Sequence, residues 1–264
     1  MESQTQDKLT AFKICQANTH AFRDLYIRNT LFVLVQSGSK HIALGTSDSF
    51  NANVEELLVF PSGSYISIEN RIISGGDYSA LCISYPDNLI DKVFEESTRN
   101  PEKTGAILVQ DCPKGLITSM ISLIGELKSD SYPDKILEHR ALEPLLWIKN
   151  LGFHLTTPFD KRVDSVIRDM VKDDLCHKWR IGDVAHGLGY SEATLRRRLS
   201  VLKTTFSDIV TNVRLENGLT LLQTSGLPIS SIAMQSGFST PSHFSDAFKK
   251  RFDIQPKHIR DPIS

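Results

Sequence analysis

The stretch Ile229–Ile259, ISSIAMQSGFSTPSHFSDAFKKRFDIQPKHI, constrains the fold of this chain more than any other. Ile229, Ile232 and Ala233 fall at i, i+3 and i+4, which gives a short helix one apolar face. Gly237 breaks that helix, because glycine reaches positive φ at little cost. Phe238 fills the angle that follows, and Ser239 or Thr240 supplies a cap. Pro241 suits a first helical turn, where its missing N–H would have no partner anyway. Phe244, Ala247, Phe248 and Arg251 continue at helical spacing, with Phe252 one position further on. Two short helices around a glycine turn make a helix-turn-helix, a shape that lays its second helix in the major groove of DNA.

The pattern occurs once more upstream, in Arg180–Leu202. Ile181, Val184 and Ala185 form the first face, Gly189 makes the turn, Tyr190 takes the wedge position of Phe238, and Ser191 caps a helix through Leu202. A constant offset aligns Ala185 with Ala233, Gly189 with Gly237 and Ser191 with Ser239. One such unit is a weak signal; two in tandem are a strong one.

Charge agrees once the chain is divided. The net charge of -1 argues against a polyanionic partner. Residues 1–160, however, carry 14 Lys and Arg against 20 Asp and Glu, whereas residues 161–264 carry 16 against 11. The second part is thus basic by 5 charges, the electrostatic footprint of phosphate contacts. Cys15, Cys82, Cys112 and Cys176 have no metal-like spacing and read as reduced, mostly buried thiols of a cytoplasmic protein. The polar start MESQTQDKLT is not a signal peptide, and no apolar run nears the ~18 residues that span a bilayer, so no membrane association is expected.

The segment IAMQSGFSTPSHFSDAFKKRFDIQPKHIR resembles the signature of the AraC/XylS family of bacterial transcription regulators. The resemblance covers about Asp164 to Arg260. It implies a DNA-binding regulator acting on double-stranded promoter DNA together with RNA polymerase, in which Phe206–Thr224 is a helix linking the two units. Ile209, Val213, Leu215, Leu219 and Leu222 give that helix its apolar face. Nineteen residues would span about 28 Å, which suits recognition helices about 34 Å apart on one side of the duplex. The runs LYIRNTLFVLVQSG (Leu25–Gly38) and WRIGDVAHGL look like the enteric and vibrio virulence regulators within this family, which implies an activator of virulence or stress genes.

Toward the N-terminus, Leu31–Gln36, His41–Leu44, Glu56–Phe60, Tyr65–Glu69 and Ala80–Tyr85 read as short strands, and Ile107–Gln110 as one more. Turn-rich separators include Ser37-Gly38-Ser39, Ser47-Asp48, Pro61–Ser64 and Ser74–Asp77. Helical spacing follows at Leu89–Ser97, at Gly115–Leu127 (apolar nearly all round, hence buried on more than one side) and at Lys135–Leu151, which Pro144 is expected to kink or interrupt. The resemblance implies that such helices carry homodimerisation; the alternative is that they only cover the barrel. The expected fold class is therefore α+β. An N-terminal cupin-like β-barrel or sandwich with flanking helices (1–151) serves as a regulatory and dimerisation domain. A linker (152–160) leads to an all-α domain (161–264) with two helix-turn-helix units joined by a linker helix.

Residues near the start of each second helix meet the bases, so helices 191–202 and 240–251 would read two successive major grooves. In the first unit the candidates are Ser191, Glu192, Ala193, Thr194, Arg196 and Arg197, with Arg198 and Lys203 nearer the backbone. Arg196 or Arg197 is the expected base reader, since arginine pairs both acceptors of guanine. In the second they are Thr240, Pro241, Ser242, His243 and Asp246, with Ser242, Lys249 and Lys250 as backbone anchors. Asp246 departs from the family pattern, which has arginine there; a carboxylate facing phosphates is repulsive, although it can accept from cytosine N4. The first unit is therefore expected to carry most of the specificity.

Some relatives hold a fatty acid between the domains through lysines. The matching positions, Phe12, Leu31 and Pro228, cannot pair with a carboxylate. Arg23, Arg28, Lys40 or Arg71 could substitute as small-molecule effector contacts, and nothing in the spacing selects among them. An enzyme on the cupin barrel would need a histidine-rich metal set, and the strands offer only His41. Neither G-x-S-x-G, a Walker loop nor H-E-x-x-H is present, so no enzyme, cofactor or metal is expected. The remaining alternative is an interaction partner that does not read DNA, such as an anti-activator pairing with a related regulator.

Overall fold

The computed structural model describes residues 8–44, 48–73, 76–94, 105–129, 131–158 and 162–261. The chain divides into two compact units, Met1–Phe159 and Asp160–Ser264.

The first unit is a sandwich of two antiparallel sheets. One sheet has the order β1 (Thr10–Gln16), β8 (Tyr78–Tyr85), β3 (Thr30–Ser37), β6 (Leu57–Phe60) and β9 (Ile107–Val109). The other runs β2 (His20–Tyr26), β7 (Tyr65–Arg71), β4 (Ser39–Leu44) and β5 (Asp48–Ala52). The nearly unbroken apolar run of β3 follows from burial on both faces. Val33 and Val35 point between the sheets with Leu58, Phe60, Ala80 and Cys82. Phe32 and Leu34 point the other way, with Leu57, Val59 and Ile83, into a core closed by α1 (Asp87–Phe94), α2 (Lys114–Leu127) and α3 (Asp134–Asn150).

Several expectations are corrected. Two strands, β1 and β2, precede the first expected one, and Asp48 begins β5 rather than belonging to a turn. Helix α2 is one-sided: Leu116, Met120, Leu123 and Ile124 are buried while Ile121 is exposed, because only the sheet side and α3 cover it. Pro144 neither ends nor interrupts α3; its ring is buried on the core side, so packing offsets the lost backbone bond. Cys15 and Cys176 are exposed, leaving Cys82 as the fully buried thiol. Ser47, Ser74-Gly75, Glu95–Ser97 and Phe159-Asp160 lie outside the described residues.

The second unit is all helical: α4 (Val163–Asp173), α5 (Ile181–Gly187), α6 (Glu192–Val201), α7 (Phe206–Thr224), α8 (Ile229–Gln235), α9 (Pro241–Phe252) and a closing 3-10 turn, Pro256–Ile259. Thr205 caps α7 by accepting from the Asp208 N–H at 3.1 Å. At its other end Arg260 donates to the carbonyls of Leu222 at 2.8 Å and Leu227 at 2.6 Å, so the long helix stops where its free carbonyls find a cation. No described helix is long and apolar enough to cross a membrane.

Candidate nucleic-acid interface

In the first helix-turn-helix unit, Val184 and Ala185 of α5 and Leu195 and Leu199 of α6 close a dry core against α4 and α7. Gly189 turns the chain at φ 70°. Ser191 Oγ accepts from the Thr194 N–H at 3.2 Å and lies 2.9 Å from the Thr194 hydroxyl, so both side chains are spent on the cap. With Leu195 and Leu199 inward, Ala193 and Arg197, at i and i+4, occupy the opposite, exposed face. Arg196 reaches Glu192 at 3.4 Å, and the guanidinium of Arg198 lies 4.4 Å from the Tyr190 ring centre. Arg197 has no such partner among the described residues, which leaves its fork free. Lys203 is exposed in the turn after α6, at φ 55°. The stacking of Arg198 on Tyr190 was not anticipated; its signal is an aromatic wedge eight residues before an arginine on the next helix.

The second unit repeats this frame with Phe244, Phe248 and Phe252 as the buried stripe of α9 and Phe238 edge-on to Phe244 at 5.3 Å. Gly237 turns at φ 78°. Here the alignment from sequence needs a correction. The cap is Thr240, accepting from the His243 N–H at 3.2 Å, and not Ser239. The second turn is thus one residue longer than the first. Beyond it, Leu195 and Leu199 correspond to Phe244 and Phe248, and Arg197 corresponds to Asp246. Ser242, Asp246, Lys249 and Lys250 share the exposed face, while His243 sits edge-on to Phe238 at 5.4 Å. The two recognition helices therefore present opposite charges at one structural position.

A Helix-turn-helix domain family model matches residues 184–261, from within α5 of the first unit through the whole of the second. Residues 184–261 are a helix-turn-helix domain of the AraC type. The chain is similar to the HTH-type transcriptional regulator YdeO of Escherichia coli (strain K12), at 24% identity over 80% of this chain and 86% of that one. The TCP pilus virulence regulatory protein of Vibrio cholerae serotype O1 is 21% identical over 93% of this chain and 91% of its own. In fold the chain resembles unsaturated fatty acid bound wild-type ToxT from Vibrio cholerae, with a TM-score of 0.64 at 18% identity, covering 97% of this chain and 95% of that one. This AraC-type regulator is a DNA-binding transcription regulator and not an enzyme. Among the described residues no group of three or more His, Cys, Asp or Glu could hold a metal ion, and His41 Nδ1 lies 2.8 Å from Asn51 Oδ1.

The effector candidates do not form one cluster. Arg23 is exposed on β2 and Arg28 is half-buried. Phe12 and Leu31 pack against the core between the sheets. Lys40 is buried there, its ammonium donating to Asn70 Oδ1 and lying 4.9 Å from the Tyr78 ring centre. Asn70 in turn donates to Gln16 Oε1 at 2.9 Å, so a polar chain from β4 through β7 to β1 crosses the sandwich. Burial lowers the Lys40 pKa from 10.5 to about 8.

Proposed function

We propose that this regulator is a sequence-specific activator that binds two successive major grooves of promoter DNA. In this reading α6 supplies base recognition through Arg197, with Arg196 beside it. Helix α9 supplies backbone anchoring through Ser242, Lys249 and Lys250. The observation that carries the reading is the charge reversal between Arg197 and Asp246 on otherwise matching helices. Arginine offers two donors to guanine; aspartate at the same place offers none and repels phosphate. Virulence genes as targets are supported by likeness to a TCP pilus virulence regulatory protein; stress genes as targets and RNA polymerase as partner belong to the activator reading itself.

The N-terminal unit serves in this reading as the regulatory and dimerisation domain and takes a small acidic effector. Its support is the Lys40 ammonium, buried between the sheets with no carboxylate partner among the described residues. ToxT, of the same fold, has been solved bound to an unsaturated fatty acid. Titrating oleate while following DNA affinity tests this part. An oleate effect that Lys40→Met leaves untouched removes Lys40 from the role.

Selection of bound duplexes from a random pool, followed by affinity across salt, tests the main reading. The expected result is a consensus about two helical turns long, sharper in the half read by α6, with affinity falling steeply as salt rises. The second reading, a partner protein that does not read DNA, is favoured by Asp246 alone. It gains if no sequence is enriched above non-specific binding.

A further inference from the structure

The two helix-turn-helix units have separate hydrophobic cores. The core of the first, from Ile167 to Val213, contains no residue of α8 or α9. Helix α7 runs through both, and a connection by one helix alone would leave their relative pose to its bending. A second connection exists, and it is polar. The loop Asp174–Arg180, which leads into α5 of the first unit, lies against the α8–α9 turn of the second.

Arg214, on α7, sits at that crossing. Its Nε donates to the Leu175 carbonyl at 2.9 Å and its Nη2 to the His177 carbonyl at 2.9 Å. The loop is held in shape from within, with Trp179 Nε1 donating to the Asp174 carbonyl at 2.9 Å and the His177 N–H to Asp174 Oδ1 at 3.0 Å. The Cys176 thiol donates onward to the Met234 carbonyl of α8 at 3.6 Å. Alongside runs a parallel relay: Lys172 Nζ donates to Asn217 Oδ1 at 2.6 Å, and Asn217 Nδ2 donates to the buried Ser236 Oγ at 3.1 Å.

The two turn glycines show that this docking is particular to the second unit. Both have positive φ. A Cβ on Gly189 would meet nothing within 4 Å, whereas a Cβ on Gly237 would fall 2.0 Å from the Leu175 carbonyl oxygen and 2.8 Å from Arg214 Nε. The glycine of the second turn therefore serves a close approach as well as a bend.

We propose that Arg214 is a positioning residue for DNA recognition: it fastens the loop leading into the first helix-turn-helix unit against the turn of the second, so that α6 and α9 are presented as one rigid pair with fixed spacing. The guanidinium suits this task because its planar fork holds donors at fixed separation and direction toward two carbonyls, whereas a lysine offers its donors from a single flexible point. The inference rests on the reading that both helices engage one duplex.

The test uses the full chain and the duplex it selects from a random pool, with one or two base pairs inserted between the halves. Each added pair advances the second groove by about 3.4 Å along the axis and rotates it, so a rigid pair loses one half-site. The unmodified protein is expected to lose affinity about 30-fold on insertion, the scale of forfeited base contacts. Arg214→Met is expected to bind the parent duplex about ten-fold more weakly and to lose under about five-fold more on insertion, with Arg214→Lys between the two. Hydrogen exchange without DNA supplies a second readout. In Arg214→Met the amides of Leu175–Trp179 and of Met234–Phe238 should exchange faster together, while those of α6 and α9 stay slow. Spacing discrimination equal to the parent's in Arg214→Met, or faster exchange confined to the loop or spread over the whole unit, would overturn the latch and leave the DNA-binding reading standing. Absence of any selected duplex instead counts against that reading, and the exchange experiment still decides whether Arg214 couples the two turns.

Discussion

The ammonium of Lys40 is buried between the two sheets with Asn70 as its side-chain acceptor. Burial holds its pKa at about 8 against an ordinary 10.5. Between these values the unfolded chain binds the proton and the folded chain does not, so stability rises with pH across that window. The penalty present below pH 8 is about 3 kcal/mol. Cys82 opposes it from pH 9 upward, since burial pushes that thiol up to about 12 and the folded state then holds the extra proton. The N-terminal unit should therefore melt at a higher temperature at pH 9 than at pH 7, and Lys40→Met should flatten the difference. Calorimetry at pH 7, 8 and 9 checks this; an equal rise in the variant would assign it to another group.

Arg168 on α4 and Glu216 on α7 form a buried pair at 3.0 Å. Removing one partner takes from the other its ion pair in a region of low dielectric. Arg168→Met should cost about 3 kcal/mol or more, and Arg168→Met with Glu216→Leu should recover part of it, since the second change removes the carboxylate that has lost its cation. Urea unfolding followed by circular dichroism measures both. A double variant no more stable than the single one would mean that the pair acts through other contacts.

The turn glycines separate backbone strain from crowding. Gly189→Ala places a side chain at φ 70° in open space and should cost about 1 kcal/mol. Gly237→Ala adds the same strain and a collision with the Leu175 carbonyl, so it should cost at least about 2 kcal/mol more. Equal losses in thermal or urea unfolding would show that the loop yields freely.

What the sequence made legible follows burial. Strands β3, β6 and β8 lie inside one sheet with both faces covered, so their residues are apolar almost throughout and stand out. The three missed strands, β1, β2 and β5, are all sheet edges. Edge strands carry residues such as Lys13, Arg23 and Asp24 on an open side, which hides the alternation. Helix α7 was legible from end to end through the family resemblance, with its apolar positions agreeing; the Thr205 cap that starts it was not read. The extra residue in the second turn was not legible, since Ser239 and Thr240 are equally able to cap and only geometry selects Thr240. Arg214 was invisible for a related reason: its partners are backbone carbonyls, which leave no trace in residue identity.

Asp246 and Arg197 offer a reciprocal experiment on the candidate interface. Both are exposed on the outer face of their helix, two residues beyond the first buried position. A carboxylate near phosphates weakens binding, and its removal also removes the repulsion that salt screens. Asp246→Ala should therefore tighten non-specific DNA binding about two- to ten-fold at low salt, with the gain shrinking as salt rises. Asp246→Arg adds a phosphate or base contact and should steepen the salt dependence by about one counterion. Arg197→Ala should cost about 1–3 kcal/mol on the selected duplex and relax preference at one position, while leaving non-specific binding nearly unchanged. Fluorescence anisotropy on selected and scrambled duplexes between low and physiological salt reads all three. If Asp246→Ala weakens binding to the selected duplex alone, the carboxylate is accepting from a base, and the second unit reads sequence after all.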